Sequence, residues 1–160
     1  MTQACPGPEL GGCPLEALST DLRVYVRHGR FRGGSTLAHE IHAVVAELHT
    51  YWERYASGGF GRATIPEIEA SLEPLDASAA IDLMTTLAAH DLVWPNFTHM
   101  DPEEARSAAE QVVNLLGPRA TWWSNFDDHS STAVTECSFD GLIAGTDGER
   151  FAILIQVAED

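Results

Sequence analysis

The amino-acid sequence predicts an α+β fold that is mostly helical over its N-terminal three quarters and closes with a small C-terminal antiparallel sheet. Up to residue 116, apolar residues recur at spacings of three and four, which is typical of amphipathic helices. From Thr121 onward, short runs rich in aromatic and β-branched residues predict strands instead. The chain has 160 residues, a length that suits one compact domain.

We assign that domain to residues 15–160. Residues 1–14 contain three Pro and three Gly, a composition that predicts a flexible tail. The first predicted helix covers 15–30, where leucines and a valine follow the helical spacing. Ser35 or Thr36 is the expected N-cap of the next helix, which ends near Tyr55. This helix carries the clearest apolar stripe of the chain, formed by Leu37, Ile41, Val44, Leu48, Tyr51 and Tyr55.

Capping residues mark the remaining helices. Thr64 precedes a short helix that has Pro66 in its first turn and ends near Pro74. A further helix covers 77–90, and Asp101 caps one that ends at Leu116 before a glycine. The predicted strands are 121–126, 133–139, 142–144 and 151–157, with a hairpin turn at residues 147–148 between the last two.

The charge of the chain excludes several classes of function. The formal net charge is −15 and the pI is near 4.6, which argues against binding to nucleic acids or to anionic membrane surfaces. No apolar run approaches the roughly 18 residues of a transmembrane helix. Three cysteines without a secretory signal, Cys5, Cys13 and Cys137, predict reduced thiols and a cytoplasmic protein.

Aromatic and acidic residues cluster where the predicted strands begin. Trp122 and Trp123 are adjacent, so one of them is expected to face outward from a strand. Phe126 follows, and Asp127 and Asp128 supply an acidic rim. Because tryptophan is enriched in binding hot spots, these five residues are the predicted contact surface for a basic protein partner.

The same C-terminal segment resembles a known kind of binding protein. The tryptophan pair is followed by Phe139-Asp140-Gly141, by Glu149-Arg150-Phe151 and by the terminal Ala158-Glu159-Asp160. This succession resembles the final hairpin of small acidic immunity proteins that neutralise bacterial toxins. The resemblance implies a non-enzymatic inhibitor of a basic toxin or enzyme, which is our first functional hypothesis.

A histidine-rich helix face supports an alternative from another class. His39, His42 and His49 lie on the second predicted helix, and Glu53 is one turn beyond His49. Side chains one turn apart can share a metal ion, although the spacing is not the H-E-x-x-H of zinc proteases. The alternative is a metal-binding protein or a metal-dependent enzyme that uses a bound divalent ion to activate water.

A third hypothesis concerns residues 63–93, which resemble the core of a winged-helix domain. A DNA reader of this type needs basic side chains on its second helix and wing. The sequence from Ala63 to Glu104 contains neither arginine nor lysine. We therefore expect such a unit to act as a regulatory protein that does not read DNA.

Overall fold

The computed structural model describes residues 14–20, 23–52, 63–94, 96–125 and 139–158. This part of the chain forms a five-stranded antiparallel sheet with the strand order β1-β5-β4-β3-β2. A short 3-10 turn, Glu16–Leu18, precedes the first strand. The elements in chain order are β1 (Val24–Arg30), α1 (Leu37–Trp52), α2 (Ile65–Ser71), β2 (Glu73–Leu75), α3 (Ala77–Ala89), α4 (Pro102–Leu116), β3 (Thr121–Ser124), β4 (Phe139–Thr146) and β5 (Arg150–Ala158).

The α+β class is confirmed, but the prediction that the first three quarters of the chain are mostly helical is wrong, because β1 and β2 from that part join the C-terminal strands in one five-stranded sheet. The segment 15–30, predicted as a helix, forms the 3-10 turn and then β1. Residues four apart share a face in a strand as well as in a helix, so that spacing alone does not distinguish the two. The partner of β1 is β5, more than 120 residues away for most pairs, such as Val24 with Gln156.

The strand β2 lies where the sequence predicted the end of a helix. The helix that was expected to end near Pro74 stops at Ser71, and β2 follows and pairs with β3. Proline is tolerated in β2 because β2 is at the edge of the sheet. The predicted tail lies outside the described residues except for Pro14.

The other helices begin close to the residues that the sequence predicted, although the Asp101 side chain makes no capping hydrogen bond to α4. Thr64 caps α2 in a reciprocal capping box, since its hydroxyl accepts from the Glu67 amide and the Glu67 carboxylate accepts from the Thr64 amide. The hydrogen bonds that the Thr64 backbone and side chain donate to the Glu67 carboxylate lower the pKa of that carboxyl. The Asp76 carboxylate caps α3 by accepting from the Ala79 amide at 2.7 Å. None of the helices in the described ranges is long and apolar enough to cross a membrane.

The sheet is the middle layer of three, because helices cover both of its faces. Pairs α3/α4 and α1/α2 bury opposite sides of the same strands, so β5 is buried on both sides from Phe151 to Val157. The α3/α4 face of the sheet contributes Val24, Trp122, Ile143, Ala152 and Leu154. The α1/α2 face contributes Leu142, Ala144, Phe151, Ile153, Ile155 and Val157.

The ring of Trp122 packs directly on the backbone of β4. Trp122 is 2% exposed and pairs with Gly145 in the β3–β4 ladder. A Cβ atom at Gly145 would lie within 2.6 Å of the Trp122 Cδ2 atom. Glycine is therefore required at this position by the aromatic ring that covers it.

We expect Gly145→Ala to lower the free energy of unfolding by about 2 kcal/mol, because the added methyl overpacks the core. Urea unfolding of the variant would measure this loss. Placing Gly145→Ala in a Trp122→Leu background should cost less than it costs in the natural chain, because the ring is gone. Equal costs in both backgrounds would contradict the proposed packing.

Candidate functional site

A glutamine interrupts the apolar pattern of the central strand. Gln156 is fully buried on β5 and lies on the α3/α4 side, two residues after Leu154. Its Nε2 donates to the carbonyls of Leu87 at 2.6 Å and His90 at 2.7 Å, and its Oε1 accepts from the Leu92 amide at 2.8 Å. The side chain thus attaches the end of α3, and the segment that follows it, to the middle of the sheet.

That segment, residues 91–100, is named the aromatic loop here. Its first residue, Asp91, is buried, and one oxygen of its carboxylate accepts from the amides of Val93 and Trp94, both at 2.9 Å. The Asp91 amide donates to the Phe97 carbonyl, and the Phe97 amide donates to the Trp94 carbonyl at 2.8 Å. These bonds close a tight turn inside the loop, as aspartate side chains commonly do.

The two ends of the aromatic loop are also joined. The His99 amide donates to the Ala89 carbonyl at 2.7 Å, and His90 forms a β-bridge with Thr98. The loop therefore leaves the end of α3 and returns to it. Main-chain bonds and the Gln156 side chain hold the backbone at the base of the loop.

The aromatic loop contains a buried histidine and a buried carboxylate close together. The side chains of His99 and Asp91 are only 3% and 4% exposed, and His99 Nε2 lies 3.3 Å from Asp91 Oδ2. His99 Nε2 is buried and its orientation gives it no hydrogen-bond partner. Burial lowers the pKa of His99, and the charge of Arg23 acts in the same direction, whereas Asp91 raises it.

The outer side of the aromatic loop is apolar. Trp94 is 66% exposed and Phe97 is 61% exposed, and no other large hydrophobic side chain in the described ranges is exposed to this degree. The Phe97 ring meets the His99 ring edge-on, with centroids 5.4 Å apart. The described part of the loop therefore presents two aromatic side chains to solvent, whereas the Asp91 carboxylate is bonded to the loop backbone.

The sequence around the aromatic loop is acidic. Asp101, Glu103 and Glu104 follow the loop directly and are exposed at the start of α4. The first basic residue after them, Arg106, is paired with Asp82 at 2.7 Å. A ligand of this loop would therefore meet aromatic groups flanked by carboxylates, which is the chemistry that suits a basic surface with an apolar pocket.

Of the predicted contact surface, the structure describes only the two tryptophans, and it places them on opposite faces of β3. Trp122 is part of the core and is not available as an exposed anchor, whereas Trp123 is partly buried and, next to Trp122 on the same strand, points to the opposite face. Phe126, Asp127 and Asp128 lie outside the described residues.

The predicted metal ligands are described only in part. His39 is exposed, with its Nδ1 at 2.7 Å from the Thr36 hydroxyl, and His42 is half-buried on the same helix. The side chain of His49 and all of Glu53 lie outside the described residues. Among the residues that the structure does describe, no group of three or more His, Cys, Asp or Glu is placed to hold a metal ion.

The segment resembling a winged-helix core is divided between two layers. Ile68 of α2 is buried in the α1/α2 cluster, whereas Met84 and Leu87 of α3 are buried in the α3/α4 cluster. The two helices thus bury their apolar sides against opposite faces of the sheet and do not share one core.

The sequence analysis did not single out Trp94 and Phe97, which the structure shows to be exposed. A signal was present, because two large aromatics flank Pro95 and Asn96 in a short segment between α3 and the cap of α4. Proline and asparagine favour turns, and turns lie at the surface. Exposure of the aromatics could have been inferred from that context.

The chain matches no protein-family model, and no curated protein or solved structure gives a significant match to it. A function for this chain therefore has to be inferred from its own residues and their geometry.

We expect Gln156→Leu to lower the free energy of unfolding by at least about 2 kcal/mol, because two carbonyls and one amide lose their buried partner. Urea unfolding gives this value. Gln111→Leu, the same change at an exposed site on α4, is the matched control and should alter stability by less than about 0.5 kcal/mol. Similar losses for the two variants would contradict the role of Gln156.

Acidification should destabilise the fold through His99. Its pKa is lower in the folded chain than its ordinary value of 6.5, so the unfolded chain binds the proton more readily and stability falls as the pH drops below 6.5. His99→Phe removes this titration. The stability of the natural chain relative to this variant should fall between about pH 7.5 and pH 5, and a constant difference across that range would refute the assignment.

Proposed function

We propose that this protein binds a basic protein partner, with the aromatic loop as its principal contact surface. The observation that carries the proposal is the exposure of Trp94 and Phe97 on a loop whose base is fixed by the buried side chains of Gln156 and Asp91. Exposed aromatics held in one geometry are the usual anchors of protein interfaces.

The fixed backbone supports binding because less order has to be imposed when the partner arrives. A free loop of this length would lose conformational freedom on binding, and that loss would weaken the complex. Here the turn is closed by the Asp91 carboxylate, and both loop ends are joined at Ala89 and His99. Tryptophan and phenylalanine also have few side-chain rotamers to lose for the apolar area that they bury.

Charge supports a basic partner. The net charge of −15 and the carboxylates beside the aromatic loop would raise the rate of association with a cationic surface and disfavour acidic proteins. Inhibition of a basic toxin or enzyme, which the C-terminal resemblance implies, is the form of binding that we propose. The aromatic loop takes the anchoring role that the sequence analysis gave to the tryptophan pair.

Capture from an extract of the native host tests this proposal. The natural chain should retain one stoichiometric basic protein, which is released as the salt concentration rises because screening weakens the charge contribution. For the purified partner, Trp94→Ala should weaken binding by about 30-fold, the loss typical of a hot-spot residue. Adding Phe97→Ala to this variant should weaken binding further. Isothermal titration calorimetry gives both affinities.

The double variant Gln111→Ala/Asn114→Ala is the matched control, because it changes two exposed side chains on α4. It should bind like the natural chain. Thermal unfolding of all variants establishes that they are folded. Equal binding by Trp94→Ala and by the control, or the absence of any stoichiometric partner, would overturn the proposal.

A further inference from the structure

Within the described ranges, one side of the edge strand β1 has no neighbouring strand. Val24 uses its amide and carbonyl on that side, since both bond to Thr20 at 2.9 Å. Backbone groups of successive residues alternate between the two sides of an antiparallel strand, so those of Val26 and His28 point the same way as those of Val24. No other backbone group in the described ranges pairs with Val26 or His28 there.

An open cavity of about 450 Å³ lies along this edge. Residues 24–26 of β1 line it, together with Val44 and Leu48 of α1 on one side and Ser19 and Thr20 on the other. The strand edge is thus at the bottom of a groove with an apolar lining. An extended segment in this groove could bond to the backbone of β1 and place alternate side chains against the apolar residues.

The groove is negatively charged. Glu16 and Glu47 line opposite walls, and both are exposed. The Arg27 guanidinium is shared between Glu47 at 3.3 Å and Glu40 at 3.0 Å, so one cation faces two carboxylates. The Glu16 carboxylate faces His28, with 3.7 Å between Nε2 and Oε1.

We propose that the groove binds an extended peptide segment of a partner protein, which adds to the sheet as a sixth strand beside Val26 and His28. Unpaired amide and carbonyl groups in a row are complementary to another extended backbone. The apolar lining selects apolar residues at alternate positions, and Glu16 and Glu47 select arginine or lysine among the others. The bond pair of Val24 with Thr20 ends the site on that side.

A second copy of this chain is a poorer occupant, because two molecules that each carry a net charge of −15 repel one another. The proposed groove shares no residue with the aromatic loop. Its test and the test of the proposed function therefore give separate answers.

Selection from a displayed library of random octapeptides on the full-length protein tests this proposal. The enriched peptides should alternate apolar residues with arginine or lysine. The most enriched sequence, made as a blocked synthetic peptide, should bind in fluorescence anisotropy. Alternate backbone amides of a bound peptide point toward β1 and away from it. Methylation of the amides that donate to β1 should weaken binding by about tenfold, and methylation of the amides that point away should weaken it much less.

Variants of the protein locate the site. Val26→Pro removes an amide that points away from β5, and it should weaken binding by about tenfold without breaking the sheet. Glu16→Gln/Glu47→Gln should weaken binding to a similar degree. Glu69→Gln/Glu110→Gln, two exposed carboxylates on α2 and α4, is the matched control of equal charge and should have little effect.

Hydrogen exchange completes the test, since the amides of Val26 and His28 should become protected when the peptide is bound. The proposal is overturned if no peptide is enriched, if methylation has the same effect at both sets of amides, or if Glu16→Gln/Glu47→Gln binds like its control. Sedimentation that shows a dimer with these two amides already protected would assign the edge to a second copy and would also overturn it.

Discussion

Burial of β5 on both faces is the constraint on which the rest of the structure depends. A central strand needs a neighbour on each side and a helical layer on each face. On one side β5 pairs with β4 through a hairpin, but on the other side it pairs with β1, which lies near the other end of the chain. The loss of chain entropy in that long-range pairing is offset by the apolar area that β5 buries against both helical layers.

One polar residue in this strand connects the core to the surface. Gln156 follows Ala152 and Leu154 on the same face of β5, where an apolar side chain would be expected. Its three hydrogen bonds are made to the end of α3 and to Leu92. A buried amide is stable only when its groups are bonded. The aromatic loop is therefore held by the same strand that organises the sheet, and the position of Trp94 depends on the packing of the core.

The two surfaces that we propose for binding use different physics. The aromatic loop offers apolar area on a fixed backbone, with carboxylates around it. The β1 groove offers unpaired main-chain groups with carboxylates on both walls. Acidity is common to both, so each favours cationic ligands, but the first suits a folded basic surface and the second an extended segment.

The sequence by itself determined the helices α1 to α4, the β4–β5 hairpin and the acidity of the surface, because caps, turn residues and charge are local properties. Only the tertiary structure decided that 24–30 is a strand, since its partner β5 is distant in the chain and a spacing of four fits both periods. Burial likewise depends on what packs above a residue. Trp122 is covered by helices and fits against Gly145, whereas Trp94 is left in solvent by a loop that Gln156 holds from below.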